Sequence, residues 1–398
     1  MIATRSHPPH IAIACGGTGG HLFPGLAVAG QIVARGGSVT LLISPKEVDQ
    51  QAVKSARELA IVTLPAVALQ PGRRLAFLRG FWQSWRAARK LFQSRRPDAV
   101  LAMGGFTSAP PVLAARGTGV KTFLHESNVI PGRANRWLAR VVDQAFVGFS
   151  QTAARLAARQ VTTTGTPVRP QFQPRLAAEC RAALGLDPAR PVLLVMGGSQ
   201  GASGINEMIL STLPVLARHA LQWQWLHLAG PRDADKVRQA YQKIGLPAIV
   251  HPFLAEMELA LGAATACVSR AGASSLAELA AVQLPALLVP FPTAADNHQF
   301  YNARAFEETG AARMLEQRAA TPAKVSDLLR ELVADRAARE AMKAALVRWH
   351  APQAAEQIAG LIWQSVSHSA EFPRAEGETT QARRQSAPVA ALQNSRLA

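Results

Sequence analysis

A chain of 398 residues, 48% hydrophobic and only 17% charged, holds enough apolar material for two cores of ordinary size and reads as globular, not disordered. Its three cysteines, Cys15, Cys180 and Cys267, stand far apart in no metal-type spacing, which argues against a disulfide framework or a zinc site and fits a reducing cytoplasm. The 43 Lys and Arg against 26 Asp and Glu, a net +17, favour an acidic partner (nucleic acid, anionic lipid or a polyphosphate) without choosing among them.

Residues 1–10 contain no apolar stretch, so no signal peptide is expected, and no apolar run approaches the ~20 residues of a membrane-spanning helix. The segment HIAIACGG reads as a buried strand running into a glycine loop, followed by a helix from about Pro24 to Arg35. Gly16, Gly17, Gly19 and Gly20 would let the backbone approach a ligand, with the N–H groups and dipole of the next helix aimed at it. The spacing is that of neither a P-loop nor GxGxxG. No acid ends the next strand, SVTLLIS (38–44), where a dinucleotide ribose would want one. A purely structural turn is the plain alternative. His21 sits at the start of the helix, where the dipole would keep its imidazole neutral and suited to a general base; a histidine that merely bonds a carbonyl is the other reading.

The stretch 72–97, GRRLAFLRGFWQSWRAARKLFQSRRP, is rich in Arg and contains no acid. Leu75, Leu78, Trp82 and Trp85 recur at helical spacing with Phe81 beside them, which predicts an amphipathic helix facing an anionic membrane surface. An ordinary core helix would show the same stripe. No nucleic-acid motif accompanies the charge, so a nucleic-acid partner is not expected.

Strand-then-loop segments follow at 98–110, 121–128 and 144–150, the pattern of a parallel sheet covered on both faces. Threonines, glycine and prolines at 162–172 suggest a hinge. Near residue 190 the pattern restarts: RPVLLVMGGSQGASGIN is again strand, glycine turn and helix, with further strands in 223–230, 247–253, 264–272 and 285–290. The predicted fold is α/β, two Rossmann-like doubly wound domains facing across a cleft. The expected domains are 1–168 and 169–350, with a helix at about 351–366 packing back on the first and a disordered tail from 369 to 398.

In the second half, Ser199, Gln200 and the N–H groups near Gly201 are placed to bind a diphosphate without a metal. The acids of DAD, Asp233 and Asp235, resemble a metal-binding DxD but read more simply as helix cap and dipole residues. Ser275 and Glu278 form a Ser-x-x-Glu that is either a capping box or a carboxylate accepting two ribose hydroxyls.

Seven blocks in collinear order, GGTGGHLFPGLAVA, MGGFTSAPPVLAA, HESNVIPGRANRWLA, TGTPVR, GGSQGASGIN, SRAGASSLAELAAVQLPALLVPFP and DNHQFYNA, resemble the MurG family over about residues 10 to 365. The resemblance implies the GT-B fold and an inverting transferase needing neither metal nor cofactor. Such an enzyme moves N-acetylglucosamine from UDP-N-acetylglucosamine to the 4-hydroxyl of the muramyl sugar in undecaprenyl-pyrophosphoryl-MurNAc-pentapeptide. It would act as a peripheral protein on the cytoplasmic face of the cell membrane, among cell-wall synthesis proteins. Carried over by position, the UDP-sugar site takes Arg169, Ser199, the backbone near Leu254, and the run Ala273, Ser274, Ser275, Leu276, Ala277 and Glu278, with His298 and Gln299 on the sugar. Thr18, Gly19, Gly20, His21 and Asn128 would face the reacting centre, with His21 the candidate base and Glu126 the runner-up. Two positions depart from the family pattern: Ser127 stands in HESN where HEQN is common, and Thr166 where some members have Asn. The alternatives are another GT-B enzyme acting on a UDP-sugar, with a different acceptor or as an epimerase; HESN and DNHQ weigh against them.

Overall fold

The computed structural model describes residues 7–46, 49–50, 53, 58–66, 72, 74–198, 201–217, 220 and 222–368. The segment read as a disordered tail lies outside them.

The first half is a seven-stranded parallel sheet of β1 (His10–Ala14), β2 (Ser38–Ile43), β3 (Ala60–Thr63), β4 (Ala99–Ala102), β5 (Lys121–Glu126), β6 (Gln144–Val147) and β7 (Val161–Thr163). Its order is β3-β2-β1-β4-β5-β6-β7. The second half is a six-stranded parallel sheet of β8 (Val192–Met196), β9 (Gln224–Leu228), β10 (Ala248–His251), β11 (Ala266–Ser269), β12 (Ala286–Leu288) and β13 (Arg313–Met314), ordered β10-β9-β8-β11-β12-β13. Both are doubly wound sheets of Rossmann order. In each, the winding reverses beside the first strand, between β1 and β4 and between β8 and β11, and opens a crevice at the carboxyl ends of those strands. The glycine loops after these strands line the two crevices.

The inner strands are buried on both faces because each is a run of aliphatic residues: Ile11 to Ala14 in β1 and Val192 to Val195 in β8 are wholly buried. The last described helix, Ala354–His368, crosses back to the first half and packs on the helix Gly19–Ala34. Ile358, Ala359, Ile362 and Val366 enter the first half's core, and Arg35 pairs with Glu356 at 3.3 Å. Burying each isoleucine contributes about 1.5–3 kcal/mol to holding that helix in place.

The helix after β1 begins at Gly19, a turn before the expected Pro24, so that the proline lies inside it. Pro24 has no N–H for the Gly20 carbonyl four residues back. Ser274 of the second half makes up the loss, donating its hydroxyl to that carbonyl at 3.0 Å.

Candidate functional site

The crevice on the first half is built from the loops after β1, β4 and β5. His21 is half-buried, and its imidazole lies flat along the Gly104–Gly105 loop. A Cβ on Gly104 would come within 3.1 Å of Nε2, and one on Gly105 within 3.0 Å of Nδ1. Both glycines hold positive φ, 105° and 77°, so only glycine fits this wall without strain or collision. Thr18 Oγ1 pairs with His21 Nδ1 at 3.0 Å. Burial lowers the His21 pKa to about 4 against the opposing charge of Asp49, while His298 and Lys46 also lower it. The imidazole is therefore neutral near pH 7, with burial as the main cause.

Glu126 is 2% exposed at the end of β5, and both its carboxylate oxygens are engaged. Oε1 accepts from the backbone N–H of Asn128 at 2.8 Å and from Asn128 Nδ2 at 2.9 Å. Oε2 accepts from the Gly132 N–H at 2.9 Å and from Asn135 Nδ2 at 2.8 Å. Four donors on one carboxylate make Glu126 the organiser of the segment 127–135, a loop and the first turn of the helix Arg133–Leu138. Ser127 bonds His125 Nδ1 at 3.2 Å, and Thr166 packs against Gly148, so both departures from the family pattern have local partners.

On the second half, the helix Ala273–Val282 begins after Gly272, its N-cap. Ser275 therefore falls inside the first turn, and the Ser-x-x-Glu capping box does not form. Glu278 instead faces Arg169 at 3.8 Å, its side chain 16% exposed. Burial pushes its pKa up to about 7; Arg169 pulls the other way and Glu258 adds to the rise. Arg169 lies in the segment between the halves, its guanidinium over the Phe23 ring at 4.2 Å and the Phe172 ring at 4.9 Å. Its Nε is buried without a partner among the described residues. Ser274 touches the first half through Gly20, as above. Ala273 and Leu276 are buried, Ser275 and Ala277 half-buried, so this run offers a ligand chiefly its N-terminal N–H groups. Leu254 is half-buried beyond the end of β10. His298 Nδ1 pairs with the Ala295 carbonyl at 2.8 Å, and Gln299 Oε1 accepts from the Phe291 N–H at 3.0 Å. Ser199 and Gln200 lie outside the described residues.

The acids of DAD do not form a pair. Asp233 stands at the N-cap of the helix Ala234–Ile244 but makes no cap bond; its carboxylate accepts from Asn206 Nδ2 at 2.8 Å. Asp235 pairs with Arg238. Among the described residues no three His, Cys, Asp or Glu are grouped to hold a metal ion.

The basic stretch forms the helix Arg74–Ser94, which buries Gly80, Ser84, Ala88 and Phe92. Leu75, Leu78 and Trp82 project outward, 84%, 60% and 53% exposed. Phe81 and Trp85 are only half-buried, and Trp85 packs on the core, so the expected five-residue apolar face divides: Trp85 belongs to the inner side. Arg86 covers the Trp82 ring at 4.6 Å and Arg89 the Trp85 ring at 5.3 Å. No described helix is long and apolar enough to cross a membrane.

Sequence reasoning missed three residues here. Asp49, wholly buried, holds the opening loop by accepting from the Gly17 N–H at 2.6 Å and Ser44 Oγ at 2.5 Å. Arg270, in SRAG, donates from Nη1 to the Val289 and Pro290 carbonyls and from Nη2 to Gln317. Asn302, at the end of the DNHQFYN block, bonds both halves. Nothing local marks any of the three, since Asp49 stands well past the end of β2 at Ile43.

Residues 11–147 match the family model of the glycosyltransferase family 28 N-terminal domain, and residues 192–358 that of its C-terminal domain. The chain is 37% identical over 362 residues to the UDP-N-acetylglucosamine--N-acetylmuramyl-(pentapeptide) pyrophosphoryl-undecaprenol N-acetylglucosamine transferase of Anaeromyxobacter dehalogenans (strain 2CP-1 / ATCC BAA-258), across 89% of this chain and 92% of that one. The transferase of the same name from Allorhizobium ampelinum is 36% identical over 360 residues, 88% and 94% of the two chains. The crystal structure of Acinetobacter baumannii MurG superposes with a TM-score of 0.70 at 28% identity, covering 90% of this chain and 100% of that one. A UDP-N-acetylglucosamine 2-epimerase superposes at 0.65 with 13% identity over 92% and 99%, which shows a shared fold alone.

Proposed function

The chain belongs to the MurG family of glycosyltransferase family 28, and from that membership we infer that it moves N-acetylglucosamine from UDP-N-acetylglucosamine to the undecaprenyl-pyrophosphoryl-linked muramyl-pentapeptide, a step of peptidoglycan synthesis. The observation that carries this is identity sustained through both halves, at 37% over 89% of the chain. The alternative of a UDP-sugar epimerase has only the fold in its favour.

The residue roles follow from the chemistry. Inversion at the anomeric carbon needs a base for the attacking 4-hydroxyl and stabilisation of the departing diphosphate on the opposite side. His21 is the base: with the proton on Nδ1 donated to Thr18 Oγ1, Nε2 keeps a lone pair for the hydroxyl. The donor's negative diphosphate raises its pKa as it arrives, which strengthens the base when it is needed. Glu126, with four N–H donors on its oxygens, shapes the acceptor loop instead. The N–H groups opening the helix Ala273–Val282 meet the diphosphate, Ser199 adds to them, and the Arg169 guanidinium stands beside Glu278 at 3.8 Å. Glu278 accepts the ribose hydroxyls, the backbone near Leu254 reads the base, and His298 and Gln299 contact the sugar. These groups supply the leaving-group stabilisation without a metal. The exposed Leu75, Leu78 and Trp82 among arginines dock the protein on the anionic cytoplasmic face of the membrane, where the polyprenyl chain stays.

The test is purified protein with UDP-N-acetylglucosamine and a lipid-linked muramyl-pentapeptide analogue, scored for UDP release. Release should require the acceptor and survive EDTA. Conversion of the UDP-sugar without any acceptor would replace the transferase reading with the epimerase one.

A further inference from the structure

Asn302 is wholly buried in the helix His298–Glu308 of the second half, yet most of its bonds go to the first. Its Oδ1 accepts from the Val129 N–H at 3.0 Å. Its Nδ2 donates to Asn128 Oδ1 at 3.0 Å and to the Ala271 carbonyl at 3.1 Å. The orientation of this amide is forced, since a backbone N–H can only donate and a carbonyl only accept. Asn128 is fixed in turn: it shows its oxygen to Asn302 and its nitrogen to Glu126. A continuous line of dipoles therefore runs from the Glu126 carboxylate through Asn128 and Asn302 to Ala271, the residue before the Gly272 cap of the helix assigned to the diphosphate.

The same stretch grips the first half a second time. Asp296 pairs with Arg136 at 2.6 Å and with Arg133 at 3.3 Å, both on the helix that follows the Glu126 loop. His298 and Gln299, assigned to the sugar, sit one turn before Asn302 on the same helix. A donor that draws this helix and the Ala271–Gly272 loop together also sets the position of Asn128.

We propose that Asn302 is a positioning residue that couples donor binding in the second half to the acceptor loop Glu126–Asn135 of the first. It touches neither substrate. With the halves apart, its amide and those of Asn128 and Val129 return to water, so the bridge is complete only in the closed arrangement. Coupling of this kind is reciprocal: donor tightens acceptor binding by the factor with which acceptor tightens donor binding.

This inference rests on the transferase reading, and the experiment separates the two. UDP affinity is measured by calorimetry with and without a short-chain muramyl-peptide acceptor, and the acceptor KM across UDP-N-acetylglucosamine concentrations, for wild type, Asn302→Leu and Asn302→Asp. Leu matches the side chain in size and removes all three bonds; Asp keeps the acceptor for Val129 and loses both donors. In wild type each ligand should tighten the other. Both variants should lose that dependence and raise the acceptor KM about tenfold, the scale of one buried hydrogen bond, while UDP affinity without acceptor stays unchanged. The proposal is overturned if coupling survives in a folded variant, if UDP affinity measured without acceptor falls as far as acceptor affinity does, or if neither variant folds. A wild type inactive with the acceptor fails the transferase reading instead.

Discussion

Glu278 is a carboxylate whose burial raises its pKa to about 7, and the sign of that shift separates a binding role from a structural one. Its folded pKa lies above its unfolded value, so between the two the native state holds the proton more tightly. The stability it confers is present below the unfolded pKa and is lost as pH rises through about 7, by about 3 kcal/mol. A capping glutamate would behave the other way. Glu278→Gln should therefore raise the melting temperature at pH 8 relative to wild type, leave it little changed at pH 5, and raise the donor KM. In wild type the donor KM should fall as pH rises through about 7 and the carboxylate ionises. A lower melting temperature in the variant with unaltered donor KM would return Glu278 to helix capping. His21 predicts a separate limb. Its imidazole must be neutral to take a proton, so kcat/KM should fall as pH drops through about 4, not near the ordinary histidine value. His21→Ala should lower kcat by about 10²–10⁴-fold with folding intact. An unchanged pH–rate profile in that variant would move the base elsewhere.

At the scale of elements, the helix Arg74–Ser94 has two faces with different consequences. Leu75, Leu78 and Trp82 stand in solvent, whereas Trp85 rests on the core. Leu78→Ser with Trp82→Ser should weaken binding to anionic vesicles, spare activity on a short-chain soluble acceptor and leave melting nearly unchanged. Trp85→Ser should destabilise the fold, by about 1–3 kcal/mol for a half-buried ring. Vesicle binding should also weaken with salt, since each arginine near an anionic leaflet is worth about 1 kcal/mol. Equal vesicle affinity in wild type and the double variant would place the membrane contact on another surface. The periodicity of this segment showed a stripe but not which edge of it is covered, because the helix Ala109–Arg116 that covers it is remote in sequence. The inner strands β1, β4 and β8 were legible as aliphatic runs, and with them the duplicated α/β plan. β3, β7 and β13 were not: they are short edge strands, and β3 exposes most of its residues, so neither face has an apolar pattern to read. Pro24 misled as a helix start for a long-range reason, because the carbonyl it deprives is answered by Ser274. The glycine loops and His21 could be found by local spacing. Asn302 could not, since its bonds span 31, 173 and 174 residues.

In the whole molecule the two halves are joined by contacts of different strength. The polar contacts are the Ser274 and Asn302 hydrogen bonds and the pairing of Asp296 with Arg133 and Arg136. Arg133 is 78% exposed and Arg136 44%, so these ion pairs are worth under about 1 kcal/mol each and yield to salt. The chain itself also crosses twice, after β7 and again just before the helix Ala354–His368. The crossings meet at Gly165. Its φ is +81°, and a Cβ there would lie 2.3 Å from the Cβ of Ala351 on the returning strand of chain. Its carbonyl accepts from His125 Nε2 at 3.1 Å, if that nitrogen carries the proton, which ties the junction to β5 and thus to the Glu126 loop. The His125 ring, held at a pKa of about 4 by burial, stays neutral and able to keep that bond at pH 7. Gly165→Ala would combine a left-handed strain of about 1 kcal/mol with a collision against backbone-anchored atoms, for a total loss of about 2–4 kcal/mol. The junction carries both crossings and holds His125 beside the Glu126 loop, so the damage should reach function as well as stability: acceptor KM should rise in the folded fraction. Asp296→Asn should change melting by less than about 1 kcal/mol and lose even that effect at high salt. Melting curves of the two variants at low and high salt decide the matter. If Gly165→Ala melts like wild type, the crossings are loose and the polar contacts carry the arrangement of the halves.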